Sequence, residues 1–301
     1  MSYKFIFDNN VLSRVSIERL TASGLIEACN SGRFALYIPP VLFTELLHFL
    51  SREEISKNAK DNVKFLTKIR WQRVFNDPNG PQGIYTMELE GKLASEYLFI
   101  NNYDVIRRNL ENMLNGMTLR KEDRKEIEEW IEKNNFRCKE TIFEMRKDVD
   151  KLFKNNPEAS RKDYKFLDFL KEQFEDTAKD IIRRGINSFF PKSHLLNLWM
   201  KNKKRCLYFN KFIEGLVFWR WYYTMMEPRP RIDDNAFKDI EYLIYLNGVD
   251  GIVSNEKNFM KAACTELFPD KDFWSVDEFA EFLIRWGKYT QSDFLCKRPT
   301  S

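Results

Sequence analysis

Apolar residues in the first fifty positions fall into short continuous runs bounded by turn-forming residues. Phe5-Ile6-Phe7 ends at Asp8, and Ala35-Leu36-Tyr37-Ile38 stops at Pro39-Pro40. Runs of this kind predict buried strands. Between them, Ile17 to Cys29 carries apolar or small residues at Leu20, Leu25, Ile26 and Ala28, which predicts a helix. Val41 to Leu50 predicts another, since proline is tolerated in a first turn. The same alternation returns near the end of the chain. Asp234 to Asn247 predicts a helix through Ile240, Leu243, Ile244 and Leu246, and Gly251 to Ser254 a short strand. Asn255 to Leu267 predicts a helix, Phe273 to Val276 a further strand, and Asp277 to Trp286 an amphipathic helix.

The middle follows a different period. From about Ser51 to Met226 no strand alternation stands out and helical spacing dominates. Cys138, Ile142, Met145, Val149 and Leu152 repeat at steps of four and three, the stripe of a long helix packed on a neighbour. A second stripe runs through Leu167, Leu170, Phe174, Ala178 and Ile181, with a break expected at Asn155-Asn156-Pro157. The charge run from Arg120 to Lys133 reads as a solvated helix face. Pro228 to Arg231 is a proline-punctuated linker. The expected organisation is therefore a discontinuous α/β domain over 1–50 and 228–287, an all-α insertion over 51–227, and a loose tail over 288–301. Alternating strands and helices imply a mostly parallel sheet. Ligands of such sheets bind beyond the carboxyl ends of the strands. If the two strands run parallel, Asp8 and Asn255-Glu256 share one rim.

Composition narrows the classes. With 43% apolar and 31% charged residues the chain has a folded, soluble profile. A net charge of +4 and a pI of about 8.6 permit nucleic-acid binding without requiring it. The five cysteines are scattered and form no C-x-x-C pair, which argues against a disulfide framework or structural zinc and suits a reducing cytoplasm. No uncharged apolar stretch of about 18 residues suggests a membrane span. Neither G-x-G-x-x-G nor a P-loop occurs. Glu45 and His48 match half of a di-iron pattern, but the only other histidine, His194, forms no second half.

Four acids remain as candidates for one site, Asp8, Glu45, Asp239 and Glu256, with Asp234 and Asp250 in reserve. Hard cations such as Mg²⁺ and Mn²⁺ take oxygen ligands, and a carboxylate cluster with few histidines is suitable material. Each acid has a plainer alternative. Asp8 could cap a helix starting near Asn10. Glu45 and Asp239 could face solvent from their helices, and Glu256 could favour the dipole of a first helical turn. Their common placement beside strand ends is what singles them out.

Three segments resemble the motifs of PIN-domain nucleases in the correct order. Phe5 to Leu12 is similar to the opening motif, an apolar strand ending in aspartate. Ile38 to Leu47 is similar to the second, in which a helix carries a glutamate. Asp239 to Phe259 is similar to the last, in which an aspartate opens a helix and a strand ends in Ser/Thr-Asn-Asp-Lys. The resemblance covers roughly 3–50 and 230–285. It implies a Rossmann-like parallel sheet of PIN type and phosphodiester hydrolysis dependent on Mg²⁺ or Mn²⁺, with RNA a commoner substrate than DNA. Asp8, Glu45 and Asp239 would hold metal and Glu256 would fill the fourth acidic place. Ser254 would orient a ligand, and Asn9 and Asn255 would support the acids. Two departures stand out: Glu256 replaces an aspartate, and Asp234 competes with Asp239 for the third place. The stretch between Glu45 and Asp234 also far exceeds an ordinary PIN domain.

Basic residues cluster at Lys68/Arg70/Arg73, Arg183-Arg184 and Lys201 to Arg205, with Trp71, Trp199, Tyr208, Trp219 and Trp221 nearby. Buried aromatics under a solvated face explain most of these. Arg229, Arg231 and Lys257 flank the acids in sequence and are the candidates for holding nucleic acid. The expected activity is a metal-dependent nuclease. Its alternatives are a PIN-like binding module that cleaves nothing, or a toxin or defence nuclease held by a protein inhibitor. A homo-oligomer also remains open.

Overall fold

The computed structural model describes residues 2–51, 57–70, 73–79, 82–100, 103–114, 121–156, 158, 160–184, 192–233 and 236–288. Trp71, Asp234, the side chains of His48 and Cys138, and the tail from Tyr289 lie outside the described residues.

Five strands form one sheet: β1 (Tyr3–Phe7), β2 (Phe34–Ile38), β3 (Arg73–Val74), β4 (Gly251–Val253) and β5 (Asp272–Trp274). Their order is β3-β2-β1-β4-β5 and every pairing is parallel. This is a doubly wound order, and its direction reverses between β1 and β4. Parallel sheets are covered on both faces, so their strands read as unbroken apolar runs. β2 shows this directly, all five of its residues being buried. Phe34 and Tyr37 are three apart on β2 and so point to opposite faces. Phe34 packs on Phe279 and Phe282, while Tyr37 meets Phe75, which in turn meets Tyr245.

The helices in chain order are α1 (Arg14–Ala22), α2 (Leu25–Asn30), α3 (Pro40–Ser51), α4 (Lys57–Lys68), α5 (Ile84–Leu89), α6 (Ser95–Leu98) and α7 (Tyr103–Leu114). They continue as α8 (Lys121–Asn155), α9 (Phe166–Arg184), α10 (Lys192–Asn202), α11 (Leu207–Thr224), α12 (Ala236–Ile244), α13 (Phe259–Leu267) and α14 (Val276–Lys288). α14 supplies Phe279 and Phe282 to one face of the sheet. On the other side, α11 lies against α12 so tightly that a Cβ on Gly215 would stand 2.9 Å from Ile240 Cγ2.

Three sequence expectations need correction. The single helix expected from Ile17 to Cys29 is two, because Gly24 adopts φ +82° and ends α1. The middle is not free of strands. β3 lies within 51–227 and closes one edge of the sheet, and Phe75 forms an antiparallel bridge to Phe99. Two residues are too short a run to show a period of two. Finally, the helix expected from Asn255 begins only at Phe259, so Glu256 lies in the loop before it. The break after Asn155 falls where the sequence suggests. Of the first stripe, Ile142 is fully buried, whereas Leu152 is 46% exposed. One contiguous apolar core includes sheet residues such as Phe5 and Ile252 together with Val63, Leu66, Ile182 and Trp199 from the middle.

Candidate metal centre

β1 and β4 pair with Phe7 opposite Val253, so the residues leaving their carboxyl ends emerge side by side. The backbone N–H of Asp8 donates to the Val253 carbonyl at 3.1 Å. One residue on, the Ser254 hydroxyl donates to Asp8 Oδ2 at 2.7 Å. The Asn10 side-chain amide also donates to Asp8 Oδ2, and to Ser254 Oγ at 3.2 Å. Thus Asp8 follows a strand, and its side-chain hydrogen bonds run to Ser254 and the Asn10 amide rather than forming a regular cap on the short 3₁₀ turn Asn9–Val11. Burial pushes the Asp8 carboxyl up to about 6, and the negative charge of Glu256 adds to this. The Ser254 hydroxyl and the backbone N–H groups of Asn10 and Asn9 oppose it. The amide side chain on Asp8 is therefore that of Asn10, and Asn9 acts through its backbone.

Glu45 reaches the same place from α3. Its side chain is 15% exposed and accepts a hydrogen bond from Tyr242 of α12 at 2.7 Å, with the Lys238 ammonium 4.0 Å away. Burial pushes Glu45 up to about 7; the Tyr242 hydroxyl lowers it, Asp8 raises it and Lys238 lowers it. Asp239 is 7% exposed on α12. Its carboxyl is held well above the usual range by burial first, then by the negative charges of Asp8, Glu256, Asp233 and Glu45. Asp239 accepts no hydrogen bond and has no ion-pair partner among the described residues. Burial without a donor favours the protonated form or a bound cation.

Glu256 behaves differently. Its Oε1 accepts from the N–H of Asn258 at 2.8 Å and its Oε2 from the N–H of Met260 at 2.6 Å, so it satisfies the amino end of α13. Ser254 also accepts from the Glu256 N–H at 3.0 Å, which ties the loop to Asp8. Asn255 stitches the rim together: its N–H donates to Asn10 Oδ1, its amide to Ser16, and its Oδ1 accepts from Val276.

The fold thus brings Asp8, Glu45 and Asp239 within reach of one another's charge, with Glu256 at the margin and its oxygens engaged. Among the described residues, no three His, Cys, Asp or Glu side chains are drawn in closely enough to enclose an ion. The chemistry of the donors is that which a hard divalent cation takes. They are all oxygen, they raise one another's proton affinity, and Asp239 has no other partner among the described residues. Asp234 lies outside the described residues. Of the basic candidates, Arg229 is bound to Asp150, whereas Arg231 and Lys257 are exposed. Sequence reasoning missed Asn10, Lys238 and Tyr242. The last two stand four apart on α12 beside Asp239, a spacing that puts them on one helical face.

A comparison of the chain with models of protein families, with curated proteins and with solved structures finds no match. Among the described residues no helix is long and apolar enough to cross a membrane.

Proposed function

We propose that the chain is a metal-dependent nuclease of PIN type that hydrolyses phosphodiester bonds, in RNA before DNA. The observation that carries this reading is Asp239, a largely buried carboxylate without a hydrogen-bond or ion-pair partner among the described residues. It lies beside Asp8 and Glu45 where the order of a parallel sheet reverses, the usual ligand position in such sheets. Asp8, Glu45 and Asp239 are the residues that would hold Mg²⁺ or Mn²⁺. When bound, such an ion supplies Lewis acidity toward phosphate oxygens and neutralises developing charge. The protein's own part is orientation. Ser254 and Asn10 fix one oxygen of Asp8, and Tyr242 fixes one oxygen of Glu45. The preference for RNA rests on the motif resemblance alone.

The test is cleavage of labelled single-stranded RNA and DNA with Mn²⁺, Mg²⁺ or chelator, beside Asp8→Asn and Asp239→Asn. Metal-dependent cleavage that falls on the order of 100-fold or more in both variants is expected. Cleavage at full rate in either variant counts against this site. One observation favours a second reading, a binding module that does not cleave: both Glu256 oxygens are spent on backbone N–H groups. Wild type that binds strands yet leaves them intact with either metal would select it.

A further inference from the structure

Lys238 stands beside the acids with nothing to donate to. Its side chain is 12% exposed, and Glu45 Oε1, 4.0 Å from its Nζ, is too far for a hydrogen bond. Among the described residues no other carboxylate oxygen comes as close, and no acceptor takes its N–H groups. An ammonium so withdrawn from water is costly unless negative charge offsets it.

Holding the helices together does not account for Lys238. Tyr242, one turn further along α12, already joins α12 to α3 through Glu45 Oε2 at 2.7 Å. α3 packs both on α12 and on the turn Asn9–Val11 that follows Asp8. Lys238 therefore neighbours Asp239 along its own helix and faces Glu45 across from it.

Charge balance gives Lys238 a use. Asp8, Glu45 and Asp239 carry three negative charges when ionised and Lys238 one positive charge. The remaining two negatives are cancelled by one divalent ion, whereas a second ion would leave an equal excess of positive charge. Glu256 stands outside this count, because the N–H groups of Asn258 and Met260 hold its oxygens. Asp233 keeps contact with water. Glu241 is raised to about 7 by burial and then by Asp77 and Glu45, with Lys238 opposing, and is free to keep a proton.

We infer that Lys238 is a built-in cation in place of a second metal ion, so that Asp8, Glu45 and Asp239 take a single divalent ion. The inference rests on the metal centre proposed above and states how many ions it holds. In a two-ion centre the second ion neutralises charge on the reacting phosphate. Here one side chain supplies that charge.

The test counts ions and needs no cleavage. Mn²⁺ is titrated into wild type, Lys238→Met, Lys238→Gln and Lys238→Arg, with bound and free ion followed by electron paramagnetic resonance. Only binding that Asp239→Asn abolishes is assigned to this centre. Wild type should bind one Mn²⁺ with an uncoupled spectrum. Lys238→Met and Lys238→Gln should bind two, with the exchange coupling of ions about 3.5–4 Å apart. Lys238→Arg should stay at one. Two coupled ions in wild type overturn the inference and leave the centre standing. Absence of a second ion from both uncharged variants, shown to be folded by their melting temperatures, overturns it as well. If neither variant folds, one ion or two in wild type decides. A wild type that binds no Mn²⁺ at these acids removes the centre itself, and the inference with it.

Discussion

Asp239 poses the sharpest residue-scale question, because a buried carboxylate that meets no donor among the described residues is costly when charged. It is not alone. Asp8 is pushed up to about 6, and Glu45, Glu88 and Glu241 to about 7, each chiefly by burial. These folded values exceed the ordinary carboxylate range near 4. The folded chain therefore keeps protons that the unfolded chain releases between about pH 4 and pH 7. The stability these four groups contribute is full below this window and falls as pH rises through it. For Glu88 alone the loss is on the order of 3 kcal/mol. Metal-free protein should thus unfold at lower urea at pH 7.5 than at pH 5. Mn²⁺ should recover part of the difference in wild type and less in Asp239→Asn, as urea titrations at both pH values would register. Asp8, Glu45 and Asp239 were legible in the sequence because each follows or flanks a recognisable strand or helix start. Tyr242 was not, because its partner Glu45 lies 197 positions away and only the fold introduces them. Glu256 was legible as an acid but not as a cap, since its role depends on where α13 begins.

Among elements, α11 packs closely on α12, the helix that carries Asp239 and Tyr242. Gly215 lets the two helices close, and Ile240, which it meets, is the next residue after Asp239. Gly215→Ala should push α12 outward. Overpacking of this kind costs about 1–3 kcal/mol, yet cleavage should fall by more than the stability loss explains, since Asp239 and Tyr242 move with the helix. Melting temperature and initial cleavage rate measured on the same sample would separate the two effects; a rate unchanged within twofold would mean that α12 does not set the site. The terminal strands were readable because buried parallel strands are unbroken apolar runs. β3 was not, because its two residues owe their conformation to β2 beside them. The break at Gly24 was hidden because the apolar spacing continues across it from Leu20 to Leu25.

On the scale of the whole molecule, the middle segment is structural as well as additional. Val63, Leu66, Val74 and most of α11 belong to the same buried core as β1 and β4. Intact chain should unfold in one cooperative transition. A shortened chain that links Ser51 to Glu227 through a few glycines should lose that transition and aggregate, because the apolar faces of α12 and α13 would be bared. Calorimetry of both proteins would check this, and a stable shortened form would make the middle a separable unit.

The pairing of Asp8 with Ser254 spans 246 positions and has a consequence for biosynthesis. At ribosomal speeds of 5–20 residues per second, roughly 12–50 s pass between the two residues being joined to the chain. For most of that interval the nascent chain holds Asp8 and Glu45 but lacks Asp239 and Ser254. If the site cuts RNA, the messenger being translated is spared until the last strands emerge.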